Sequence, residues 1–215
     1  MGKIVLATII ISGSAKWLLK VGGNKEKWYG SDRIFMYVMT VFGAMTVNYS
    51  EQCTEYGWVV SNLRLLAGCL LAGGLLSAAY MDLRNCWVYN YVWWWCLPWA
   101  GILGLTAGGG FHGIVAVLVF VMRQQLLFSI IYLKADCHAF SVCALAECGN
   151  AVGMVGFLLQ MFLSVVLLTI VQLFRGNVTP RGRLREPQPF IPYIITAFFS
   201  VTFLESVFRT TYIYA

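Results

Sequence analysis

Long apolar stretches alternate along this chain with short polar ones. The first apolar run is Ile4 to Leu19, with Lys16 near its end, followed by a polar loop, Gly22 to Arg33, carrying Lys25, Lys27 and Arg33. Ile34 to Val47 is a shorter second run, and Asn48 to Gly57 is polar and acidic, with Glu51 and Glu55. Leu63 to Tyr80 is apolar and dense in Gly and Ala, and it ends at Asp82 and Arg84. Trp87 to Thr106 comes next, then the glycine turn Gly108-Gly109-Gly110, then His112 to Leu133, interrupted by Arg123, Gln124 and Gln125. Asp136 follows, then a short apolar piece from Ala139 to Cys148 that holds Glu147. Val152 to Phe174 is long and clean, Arg175 to Gln188 is basic, and Ile191 to Phe208 is the last run, with Glu205 inside it.

A helix needs about 20 mostly apolar residues to cross the ~30 Å hydrocarbon core of a bilayer. The period-two alternation of a membrane β-barrel is not seen. The pattern predicts an all-α, polytopic membrane helical bundle. About six core spans occupy residues 61–215, and residues 1–60 hold one or two N-terminal spans. The run at 4–19 can be read as a span or as the apolar part of a signal peptide with Ser12-Gly13-Ser14-Ala15 as a small-residue site. The span reading is preferred because further spans follow directly. The small residues Ala67, Gly68, Ala72, Gly73 and Gly74 predict close helix approach in lipid.

Composition agrees: 60% of residues are hydrophobic and 11% charged, against roughly 25% charged in a soluble domain. The net charge of +6 does not point to nucleic acid, because in a membrane protein it mainly reports loops retained on the cytoplasmic side. The seven cysteines include no CxxC pair and no zinc-finger spacing, and there are two histidines, His112 and His138. We expect no metal site and no cofactor.

Loop charge sets an orientation. If the piece at 139–150 crosses, the loops holding Lys25, Arg84, Lys134 and the 175–188 arginines share one side. The opposite loops, 48–57, 107–111 and 149–151, contain no Lys or Arg. Asp82 and Asp136 then lie together at the cytoplasmic face. Either aspartate alone is most simply a solvated helix end. Two brought together form a site with chemistry, because paired carboxylates do not both ionise easily: one stays an acid and the other a base. Such a pair can activate water against a peptide carbonyl. A Cys137–His138 or Ser141–His138 nucleophile has only sequence proximity in its favour. Arg123 in a span needs a partner or water, with Glu147 and Glu205 as candidates. The cluster Trp93-Trp94-Trp95 suits an interface belt, and Met36, Met39 and Met45 suit packing.

The segment Ala78-Ala79-Tyr80-Met81-Asp82-Leu83-Arg84, followed by Val88-Tyr89-Asn90, resembles the first motif of the type IV prepilin peptidases, aspartic membrane peptidases of the GxGD type. Ala135-Asp136-Cys137-His138-Ala139-Phe140, followed by Ala144-Leu145 and Gly149, resembles the second. Gln188-Pro189-Phe190-Ile191-Pro192-Tyr193-Ile194 is similar to the family's final element. The resemblance spans about residues 62–208. Leu133 and Ala135 stand where the family has glycines, and His138 stands where it has a lysine.

The resemblance implies a compact, peptidase-only branch serving Flp/Tad-type or archaeal-type prepilins. No paired-CxxC domain is present, so methyltransferase activity is not expected. It implies a multi-pass protein of the cytoplasmic membrane that cleaves the basic leader of prepilin-like precursors just before their hydrophobic helix. Asp82 and Asp136 would be the catalytic pair, with Asn90, Arg84 and His138 supporting them. The expected partners are that precursor and membrane lipid. Two alternatives stay open. One is an inactive homologue acting as a pilus or secretion scaffold. The other is a small transporter using Asp82, Arg123, Asp136 and Glu147.

Overall fold

A computed structural model describes residues 2–23, 30–52, 57–106, 133–147, 153–174 and 188–213, together with 115, 118, 121 and 122. Among these, seven helices and no strands are present: α1 (Gly2–Val21), α2 (Gly30–Gln52), α3 (Trp58–Asn85), α4 (Asn90–Thr106), α5 (Lys134–Glu147), α6 (Gly153–Phe174) and α7 (Ile191–Ile213). Four segments are long and apolar enough to cross a membrane: Gly2–Val21, Trp58–Asn85, Val155–Phe174 and Ile191–Phe208. The described residues thus form an all-helical structure of membrane type. His112, Arg123 and the arginines of the 175–185 loop lie outside the described residues.

Helix α3 contributes the most buried residues, and α1, α2, α4 and α7 all pack on it. Its small residues explain why. A Cβ on Gly73 would run into Ser14 Oγ and come within 2.9 Å of the Ile11 carbonyl oxygen of α1. A Cβ on the next residue, Gly74, would meet Cys96 Sγ of α4 at 2.5 Å. Adjacent glycines therefore admit two different helices to the α3 backbone. In lipid, where apolar surface gains little by leaving the solvent, such close van der Waals approach is what holds helices together.

The helix outlasts its apolar run. It continues through Asp82 to Asn85 and ends at Cys86, whose left-handed backbone (φ 49°) and amide, donating to the Asp82 carbonyl oxygen at 2.9 Å, close the last turn. Asp82 is thus a residue of the last helical turn and not of the loop. Likewise Asp136 belongs to the first turn of α5.

A charge within the apolar run of α3 ties the opposite end of the bundle. Arg64 is buried and donates to the Leu103 carbonyl oxygen at 3.0 Å and to Thr106 Oγ1 at 2.9 Å. These acceptors lie in the last turn of α4, where unsatisfied carbonyls carry partial negative charge. At the other end of the hairpin, α4 begins at Asn90, close after Asp82 along the chain. The Tyr91 hydroxyl donates to the Leu18 carbonyl oxygen at 2.8 Å, satisfying the C-terminus of α1.

Candidate active site

Three helix ends meet around the two aspartates: the C-terminus of α3 and the N-termini of α5 and α7. Asp82 is 6% exposed and Asp136 is 6% exposed. The Ile191 amide donates to Asp82 Oδ2 at 2.9 Å, and the Phe190 amide is a further donor to the same carboxylate. The local sequence explains this. Pro192 has no N–H to satisfy and fits the first turn of a helix. The amides just before it still need acceptors, and Asp82 supplies them at the positive end of the α7 dipole.

Asp136 sits at the third position of α5, and its carboxylate accepts from the Leu133 amide at the helix start. This is one half of a capping box, the bond from the third residue back to the amide before the helix; Leu133 has no side-chain acceptor to return it. Asp136 also lies within electrostatic range of Asp82. The two carboxylates expected on one face from loop charge are therefore at one end of the bundle, buried and mutually felt.

Below them, one turn along α5, Phe140 makes edge contacts with Phe157 of α6 at 6.1 Å and Phe190 at 6.0 Å. This apolar floor fixes α5 against α6 and α7. Cys86, at the exposed end of α3, adjoins the site. Partial burial, and then the Asp82 charge, raise its thiol above its ordinary value.

The three residues expected to support the aspartates are placed differently. Residues two apart on a helix point about 200° away from each other, so His138 cannot share the Asp136 face. It instead lies 6.1 Å from the Trp93 ring. With Asn90, Trp93, Trp94, Lys134 and Ser141 it lines a cavity of about 370 Å³ between α4 and α5. That volume is at the lower end of what a small ligand or a few side chains need. Arg84 is exposed, with its guanidinium 5.8 Å from the Tyr80 ring centroid. Asn90 and His138 thus belong to the neighbouring cavity, and Arg84 to the rim.

Ser141 donates to the Cys137 carbonyl oxygen at 2.7 Å, and Cys137 is fully buried. Among the described residues, no three His, Cys, Asp or Glu side chains gather as a metal site. Arg64 was not among the residues singled out from sequence, although a charge within an apolar run is itself the signal.

No family model matches the chain, and neither a curated protein nor a solved structure matches it.

Proposed function

We propose that this chain is a membrane-embedded aspartic endopeptidase that removes the basic leader of type IV prepilin-like precursors, with Asp82 and Asp136 as its two-carboxylate site. The observation that carries this reading is their burial at one end of the bundle, within each other's electrostatic range. The motif resemblance across residues 62–208 supplies the substrate class. The remaining finer features belong to the same proposal: about six core spans, a multi-pass location in the cytoplasmic membrane, and an active site facing the cytoplasm.

In this mechanism the ionised carboxylate takes a proton from water as the oxygen attacks the scissile carbonyl carbon. The partner carboxylic acid protonates the carbonyl oxygen, giving a neutral tetrahedral diol. The carboxyl that took the water proton then gives it to the amide nitrogen while its partner takes one from a diol hydroxyl; the C–N bond breaks, and the pair again holds one shared proton. Asp82 accepts two amide hydrogen bonds, from Ile191 and Phe190, and Asp136 one, from Leu133, so a negative charge shared by the pair is held better on Asp82. Asp82 is accordingly the base of the pair and Asp136 the acid.

The cavity beside α5 suits the apolar start of the substrate helix, because Trp93, Trp94 and Leu97 line it. Lys134 in its wall would repel a basic leader. His138 and Asn90 act there, in substrate positioning.

A second reading rests on the same hydrogen bonds. Each aspartate caps a helix, Asp82 for α7 and Asp136 for α5, and a scaffold protein would need no more of them. Co-expression with a prepilin-like precursor separates the two. Asn keeps an acceptor oxygen but cannot act as base or acid. Loss of cleavage in Asp82→Asn and Asp136→Asn, with folding retained, supports the peptidase. Full cleavage in either variant removes that residue from the chemistry.

A further inference from the structure

A second polar cluster lies deeper in the bundle, where α5, α6 and α7 meet. Glu147, at the end of α5, is 3% exposed, and its Oε2 has no hydrogen-bond partner among the described residues. Gln160 of α6 is 0% exposed, and neither atom of its amide reaches a partner in hydrogen-bond geometry. The Gln160 amide faces Cys143, one turn before Glu147 on α5. From α7, Thr202 touches Glu147 and the charge of Glu205 reaches it. From α4, Cys96 faces Cys143.

The depth follows from the helices themselves. Glu147 follows Asp136 on α5 by as many residues as Thr202 follows Ile191 on α7. At 1.5 Å per residue, both lie about 16 Å from the aspartate end. That is roughly half of a ~30 Å hydrocarbon core. An ionised carboxylate there, without a cation, is expensive to bury.

Hydrogen counting gives an independent clue. Thr202 Oγ1 is 2.9 Å from the Phe198 carbonyl oxygen and 3.4 Å from Glu147 Oε1. A hydroxyl has one hydrogen, and the shorter contact takes it. The 3.4 Å donation from Thr202 to Glu147 Oε1 is therefore weak, and it leaves that carboxyl oxygen poorly satisfied as well.

We propose that Glu147, with Gln160, Thr202 and Glu205 around it, forms an intramembrane proton-binding site, separate from the Asp82–Asp136 pair. The proton lies on Glu147 Oε2, the carboxyl oxygen left without a donor. It removes an uncompensated negative charge from the buried carboxyl where α5, α6 and α7 meet. Three helices thereby depend on one proton for their packing. The proposal does not rest on peptidase activity.

Infrared spectroscopy of the full chain in liposomes tests it, as the difference between wild type and Glu147→Gln. The expected result is a protonated-carboxyl carbonyl band in wild type that shifts in heavy water. In an Asp82→Asn/Asp136→Asn background, which removes the protonated carboxyl of that pair, the band remains, and adding Glu147→Gln abolishes it. Should E147Q not fold, Glu147→Asp serves, and the band moves in frequency. Carboxylate bands in place of the carbonyl band overturn the proposal. So does a carbonyl band that survives Glu147→Gln in that background. Loss of the band on replacing choline with sodium at fixed pH also overturns it, because the site would then take a metal cation.

Discussion

The Ile191 amide donates to Asp82 Oδ2 at 2.9 Å, joining residues 109 apart in sequence at the meeting point of α3 and α7. This bond gives Asp82 a structural task in addition to any chemistry, and the two can be separated by substitution. Asp82→Ala removes the acceptor and leaves buried amides unpaired. The expected loss is about 2 kcal/mol, within the range of a cap and a charge-assisted bond. Asp82→Asn keeps an acceptor and should lose less. Thermal unfolding of both variants in detergent checks the order. Equal losses would mean that the bond contributes nothing.

Arg64 should behave as the counterpart at the other end. Its contacts to Leu103 and Thr106 hold the last turn of α4. Arg64→Ala is expected to destabilise by about 2–3 kcal/mol, typical of hydrogen bonds from a buried charged group. Arg64→Lys should recover part of that, since Lys keeps the charge and loses the planar fork. Thermal unfolding again measures it, and an unchanged midpoint in R64A contradicts the role.

Two glycines give a matched pair of opposite sign. Gly13 has nothing within 4 Å of a built Cβ, whereas Gly73 meets Ser14 and the Ile11 carbonyl. Gly→Ala in an open helix position stabilises by about 0.5–1 kcal/mol. Gly73→Ala should destabilise by about 1–3 kcal/mol through overpacking. Stabilisation of both would show that α1 and α3 are not in close contact there.

The helical bundle was legible in the sequence because helices in lipid must hide their backbone polar groups and cover themselves with apolar side chains. The pairing of Asp82 and Asp136 at one end was readable from Lys and Arg placement, a local property of loops. Capping of α7 by Asp82 was not readable, because no local rule links Asp82 to Ile191. The face of His138 could have been read: two residues of helix separate it from Asp136, and that places it on the far side. Arg64 was legible as a charge within an apolar run, but its acceptors on Leu103 and Thr106 are carbonyl and hydroxyl groups that no charge pattern reveals. Glu147 was visible as a costly residue, but its neighbours Gln160 and Thr202 are ordinary in sequence.

The side of the membrane is testable through Cys86, which is exposed beside Asp82. A membrane-impermeant maleimide should label it in inverted vesicles and spare it in right-side-out ones, with Cys86→Ser as control. Its raised thiol slows the reaction at neutral pH, so labelling should accelerate as pH rises. Labelling from the outer face alone would reverse the orientation.

Cleavage of a prepilin-like precursor is the most direct measurement of the central claim. Wild type should remove the leader with a bell-shaped pH dependence, because a doubly protonated pair lacks a base and a doubly ionised pair lacks an acid. Asp82→Asn and Asp136→Asn, each folded, should abolish cleavage, while His138→Ala should only slow it. Wild-type cleavage that persists in either folded Asn variant would contradict the two-carboxylate account.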